Sequence, residues 1–257
     1  MLTSGMRRYF LNLSYRGAPF HGWQIQPGAI TVQQVLEDTL STVLGRRTPV
    51  VGAGRTDAGV NARLMTAHFD VPDDAPIVNE DRFLAGVNAL VGKDISVSSV
   101  REVSPDLHAR FSATSRTYHY YALPEKSAFC YPLVWKAPAT LDYAAMNEAA
   151  ALLLEVDDFT SFAKLHSDAR TNICDVSYAR WEPWRSIDGI DGMVFVITAN
   201  RFLRNMVRAV VGTLVEVGRG KMTVDGFRRV VETRDRCAAG TSMPPQALYL
   251  WDVAYPD

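Results

Sequence analysis

Apolar and polar residues alternate over residues 8–15, which puts Tyr9, Leu11, Leu13 and Tyr15 on one face and predicts a strand. The period then changes. Val32, Val35, Leu36, Leu40, Val43 and Leu44 recur at helical spacing, Thr31 and Gln34 stand at capping-box spacing before them, and Gly45 closes the helix. Strand-like stretches at 47–51 and 64–71 follow. A second helix is predicted over 80–91, with Phe83, Leu84, Val87 and Val91 inward, and a strand over Ile95–Val103. The order β-α-β-β-α-β is that of the ferredoxin-like split motif.

The second half repeats the pattern without repeating the sequence. Strands are predicted over Ser115–Leu123, 174–184, 193–199 and 247–254, and helices over 143–154 and 203–217, with a short extra helix at Val224–Thr233. The expected class is α+β, with one ferredoxin-like half in 1–104 and another in 105–257. Only residues 104–114, with Pro105 near their start, connect the two, which is too short for free rotation of independent modules. Rigid packing of the halves around a central cleft is therefore expected.

Composition narrows the class. With 257 residues, 47% of them hydrophobic and 21% charged, the chain is ordinary for a globular protein with a sizeable core. A net charge of −1 argues against indiscriminate coating of nucleic acid. Within the total, 22 of the 27 basic residues are Arg, whose planar fork suits phosphate and stacks on bases, although genomic base composition gives the same skew. Residues 201–236 hold nine basic and four acidic side chains, a local balance of +5 that suggests an RNA-facing side. In the predicted 203–217 helix, Leu203, Met206, Val207, Val210, Val211 and Leu214 form the inner stripe. Arg201, Arg204 and Arg208 are expected to share another face. Cys130, Cys174 and Cys237 are far apart and the five His lack ligand spacing, so neither disulfide, metal nor cofactor is expected. The absence of a signal-peptide pattern or a membrane-length apolar run predicts a cytoplasmic chain with no membrane partner.

The chemistry centres on residues 52–63, Gly-Ala-Gly-Arg-Thr-Asp-Ala-Gly-Val-Asn-Ala-Arg. Gly52, Gly54 and Gly59 permit tight turns, and the flanking strands would hold the loop on a rigid scaffold. Asp57 at its centre is a candidate catalytic carboxylate, although Asp, Gly and Thr in a loop also make ordinary turns. The glycine spacing fits neither a dinucleotide fingerprint nor a P-loop.

Four strings in order, YRGAPFHGWQIQ, GRTDAGV, HARFSATSRTYHY and FLRNMVRAVVGTLVEVG, give the chain a nearly full-length resemblance to the TruA-type tRNA pseudouridine synthases. The resemblance implies a pseudouridine synthase fold and isomerisation of uridine to pseudouridine at positions 38–40 of the tRNA anticodon stem-loop by a homodimer. Asp57 would be the catalytic aspartate, with Tyr118 stacking on the base and assisting hydrogen removal and Arg208 keeping the carboxylate ionised. Arg55 would take the place of a flipped uridine, Leu248 would pack on the base, and Arg110, Arg201 and Arg204 would contact RNA. Asn61 replaces a usual His, which would alter an RNA contact; Leu107, Gly92 and Ala247 are further departures. A non-catalytic RNA-binding module, a nucleoside hydrolase and a pseudouridine synthase with another RNA target remain alternatives. Product analysis separates isomerised uridine, free uracil and unchanged RNA.

Overall fold

The computed structural model describes residues 5–164 and 170–256 and has a mixed α+β architecture. It divides into two compact units, Met1–Thr114 with Leu250–Asp257, and Ser115–Tyr249.

The first unit follows the predicted succession: β1 (Met6–Tyr15), α1 (Val32–Leu44), β2 (Val51–Gly52), β3 (Asn61–Pro72), α2 (Glu80–Leu90) and β4 (Ile95–Val103). β1 lies antiparallel between β3 and β4, with Tyr9 opposite Phe69 on one side and Glu102 on the other. β2 adds to β3 as an antiparallel pair, the strand arrangement of a split βαβ motif. Thr31 caps α1 by accepting from the Gln34 N–H at 3.3 Å, and Gly45 ends it in the left-handed region at φ 65°. Val32, Leu36 and Leu40 on α1, Phe83 and Val87 on α2, and Leu11, Leu13, Met65 and Phe69 on the strands make the core.

The strand expected over 47–51 is reduced to its last residue and Gly52. Side chains of α1 take the backbone groups that a strand neighbour would have used. Glu37 accepts from the Val50 N–H at 3.0 Å, the Gln33 amide donates to the Val50 carbonyl at 3.0 Å, and Ser41 accepts from the Thr48 N–H at 3.0 Å.

The second unit contains β5 (Ser115–Leu123), β6 (Trp135–Lys136), α3 (Tyr143–Ala151), β7 (Val176–Arg185), β8 (Asp191–Ala199), α4 (Met206–Gly218) and α5 (Val224–Thr233). β8 runs antiparallel between β5 and β7. β6, two residues and too short to show a period, pairs in parallel with the end of β5. The helix expected over 143–154 tightens into a 3₁₀ turn at Leu152–Leu154. Trp181, Phe195, Ile197, Phe227 and the whole inner side of α4 are buried.

The last strand, β9 (Leu248–Ala254), joins the first unit from Leu250 onward, where it lies beside β3. Tyr255 completes the attachment. Its hydroxyl donates to the Ala109 carbonyl at 2.6 Å and its ring meets Phe10 at 5.1 Å, while the Thr114 N–H donates to the Ala254 carbonyl at 2.9 Å.

Candidate active site

Asp57 sits half-buried in the connection between β2 and β3, with Arg55 and Ala58 exposed on either side. The Val60 N–H donates to the Asp57 carbonyl at 3.1 Å, and Gly59 at φ 78° turns the chain back toward β3. Gly54 has neither a positive φ nor a neighbour that a Cβ would strike, so it is not one of the residues that shape the loop. Gly52 is, because a Cβ there would lie 2.5 Å from the Trp23 ring.

Residues 15–23 form the bed of this loop. The Trp23 N–H donates to the Thr56 carbonyl at 3.2 Å, the Gly59 N–H donates to the Phe20 carbonyl at 3.3 Å, and the hydroxyls of Tyr15 and Thr56 share a buried hydrogen bond of 2.8 Å. The backbones touch. A Cβ on Gly17 would fall 2.2 Å from the Val60 carbonyl oxygen, and one on Gly22, already at φ 86°, would fall 2.4 Å from that of Thr56. These contacts give the YRGAPFHGWQIQ string its local role, which is to hold Thr56 before Asp57 and Gly59 and Val60 after it. Asn61 belongs to the same bed. It is 1% exposed, and its Oδ1 accepts from the buried Gly17 N–H at 2.8 Å, so in this chain the residue at that position is a support rather than an exposed RNA contact.

Arg110 is exposed on a second turn of the first unit. That turn is wound around two histidines. His108 Nδ1 accepts from the Arg110 and Phe111 N–H groups at 3.1 and 3.2 Å, and His68 Nδ1 accepts from the Ala109 N–H at 3.1 Å. Burial, with Arg8 and His108 nearby, holds the His68 pKa down to about 4. Burial together with Arg8 and Arg110 lowers that of His108 as well. Arg8, forked onto Asp70 by two bonds of 2.8 Å, also donates to the Pro105 and Leu107 carbonyls at 3.0 Å.

The remaining predicted residues lie in the second unit. Tyr118 on β5 is 9% exposed and meets the ring of Phe202 edge-on, with centroids 5.0 Å apart. Leu248 is buried at the start of β9, just after a 3₁₀ turn at Pro245–Ala247. The arginines do not form the expected helical stripe. α4 starts at Met206, and Arg201 and Arg204 precede it in an irregular segment. The cause is Asn205. It adopts φ 67°, outside the helical region, and its amide donates to the Ser242 hydroxyl at 2.6 Å. Only Arg208 is on the helix, where its Nε donates to the Met243 carbonyl at 2.6 Å while the Met243 N–H donates to the Arg208 carbonyl at 3.1 Å. A guanidinium tied down through Nε has a fixed plane, which is the prerequisite for presenting its two terminal nitrogens as a fork. The Tyr120 hydroxyl donates to the Pro244 carbonyl at 3.1 Å; burial pushes its pKa up, against the pull of the Arg208 charge.

The chain is 53% identical over 253 residues to the tRNA pseudouridine synthase A of Parabacteroides distasonis, which spans 98% of this chain and 97% of that relative. The chain belongs to the tRNA pseudouridine synthase A family. The Bacteroides thetaiotaomicron relative is 54% identical over 98% of this chain and 92% of its own length, and the Bacillus pumilus relative 36% identical over 95% and 97%. A family model described as tRNA pseudouridine synthase matches residues 149–256, a stretch holding Arg201, Arg204, Arg208 and Leu248. Asp57, Arg55, Arg110 and Tyr118 lie within the near full-length match to the family's members. Among the described residues no helix is long and apolar enough to cross a membrane.

The bed beneath Asp57 and the bonding of Arg208 to the Met243 backbone are not assigned by the sequence. Gly17 and Gly22 were the available signal for the first, and Asn205, which tolerates positive φ, for the second.

Proposed function

We propose that the chain is an isomerase that converts uridine to pseudouridine in the anticodon stem-loop of tRNA, at positions 38–40, with Asp57 as the catalytic carboxylate. Membership of the tRNA pseudouridine synthase A family supports the reaction and substrate class. The single observation that carries the assignment of Asp57 is the double anchoring of its loop, by the Tyr15–Thr56 hydroxyl pair on one side and the Phe20–Gly59 backbone bond on the other. A carboxylate so held is preorganised, and little binding energy is lost in fixing it during the reaction.

The reaction breaks the bond between ribose C1′ and uracil N1, turns the base, and forms a bond from C1′ to C5. The hydrogen on C5 leaves as a proton and N1 gains one, so no electrons are exchanged with an outside reagent. Asp57 stabilises or covalently traps the reacting group while the glycosidic bond is open. Tyr118 stacks on the base and assists removal of the C5 hydrogen. Arg208 supplies the positive charge that favours an ionised carboxylate. Arg55 occupies the gap left by the flipped uridine, Leu248 packs on the base, and Arg110, Arg201 and Arg204 contact the RNA, whose bases must leave the stack before chemistry. The ferredoxin-like half in 1–104 contributes the Asp57 loop, and that in 105–257 contributes Tyr118 and the basic segment. The enzyme works as a cytoplasmic homodimer without metal or cofactor.

The test is release of hydrogen from C5-labelled uridine in unmodified tRNA. Asp57→Ala should bind tRNA within about tenfold of wild type, a difference of about 1.4 kcal/mol, while release falls below detection. Asp74→Ala, on an exposed turn, is the control and should keep its activity. Turnover above a few per cent by Asp57→Ala, with unchanged melting, would make the loop structural. Free uracil as product would make the enzyme a hydrolase.

A further inference from the structure

The turn after Ala109 builds a column of rings that ends in solvent. Phe10 lies 6.4 Å from His68 in a stacked arrangement, His68 meets His108 edge-on at 4.6 Å, and His108 stacks on Phe111 at 4.4 Å with 30° between planes. Phe111, the last ring, is 77% exposed. With the imidazole covering one face, the other face is presented outward.

The exposure is engineered by backbone geometry rather than left over from a mobile loop. His108 Nδ1 accepts from two successive N–H groups, the His108 N–H donates to the Ser112 hydroxyl at 2.9 Å, and the Ser112 N–H returns to the His108 carbonyl at 2.9 Å. Ala109, in the middle, is tied by its N–H to His68 and by its carbonyl to the Tyr255 hydroxyl. The depressed pKa of both histidines keeps the column uncharged near neutral pH. A hydrogen-bonded turn thus holds in solvent a Phe that adds one ring contact to the fold and nothing to the buried core.

We infer that Phe111 is a stacking platform for an unpaired nucleobase of the RNA substrate, a role that rests on the tRNA reading above. One ring is far below the roughly 800 Å² per partner that a standard protein interface buries, whereas it matches the area of one base. The neighbouring charge has the matching sign. The Arg110 guanidinium lies over the Phe111 ring, 5.7 Å from its centroid, and brings the sign of charge that a nucleotide's phosphate requires. Stacking tolerates any base, so the platform contributes affinity and register rather than sequence choice.

The experiment titrates full-length protein with an unmodified tRNA transcript, comparing wild type, Phe111→Leu and Phe111→Trp, with melting and sedimentation measured on each. Phe111→Leu keeps apolar area but loses the π face. Its affinity should fall by about tenfold or more, equivalent to about 1.4 kcal/mol, with melting and sedimentation unchanged. Phe111→Trp should bind within about threefold of wild type. Unchanged RNA affinity in Phe111→Leu overturns the platform; a lowered melting temperature with that affinity intact marks a structural ring, and altered sedimentation with it intact marks a protein contact. Hydrogen release by the wild type is measured in parallel. A wild type that binds tRNA but releases no hydrogen sinks the proposed reaction while leaving the platform to the binding data, and a wild type that turns over beside a tightly binding Phe111→Leu sinks only the platform.

Discussion

His68 shows how one side chain records its environment. It is 5% exposed, accepts the Ala109 N–H through Nδ1, and is therefore neutral with its proton on Nε2. An unfolded His takes up a proton near pH 6.5, whereas this one resists until about pH 4. The unfolded chain then binds more protons across that window, so stability rises with pH there, is fully present above about 6.5, and is lost as pH falls toward 4. His68→Asn keeps an acceptor and removes the titration. Thermal melting of that variant should be flatter between pH 4 and 6.5 than that of wild type, and parallel slopes would assign the acid sensitivity elsewhere. Asn61 carries the complementary lesson about legibility. From sequence it is a departure at an RNA-contacting position; in the fold it closes a buried N–H that would otherwise cost about 1–3 kcal/mol. The polarity of a side chain in a glycine-rich loop does not say whether it faces solvent or backbone.

At the scale of elements, local period was a good guide and backbone conformation was not. α1, α2, β4, β5 and α5 stand where apolar spacing and caps put them, since each signal is contained in a few consecutive residues. α4 begins later than its stripe. Leu203 stays buried and keeps the apolar rhythm, yet Asn205 has already left the helical region, and nothing in the hydrophobic pattern marks that φ. The consequence separates the arginines. Arg204 is exposed before the helix, while Arg208 is clamped to Met243. Arg204→Gln should weaken tRNA binding and reduce its salt dependence by roughly one phosphate contact, with kcat near wild type. Arg208→Lys, whose ammonium cannot hold Met243 and still offer a fork, should lose kcat while binding changes little. Identical binding and turnover losses in the two variants would show that the distinction in geometry has no functional counterpart.

Across the whole molecule, the two successions of strands and helices were readable because each unit is built mostly from neighbouring segments. The exception is the return of Leu250–Asp257 to the first unit, a pairing that no local period encodes. Removing 250–257 should strip hydrogen-exchange protection from β3 and from Ala109 to Thr114, and spare β8 and α4. Uniform loss of protection would show the two units to be a single cooperative body.

That return also sets the order of events on the ribosome. Residues 5–114 emerge with the β9 position beside β3 empty, and the intervening Ser115–Tyr249 takes on the order of ten seconds to synthesise. The second unit, contiguous in the chain, can close first. The nascent N-terminal unit waits with a bare strand edge, which makes the interval before Leu250 appears the period of greatest exposure to proteases and to wrong strand partners.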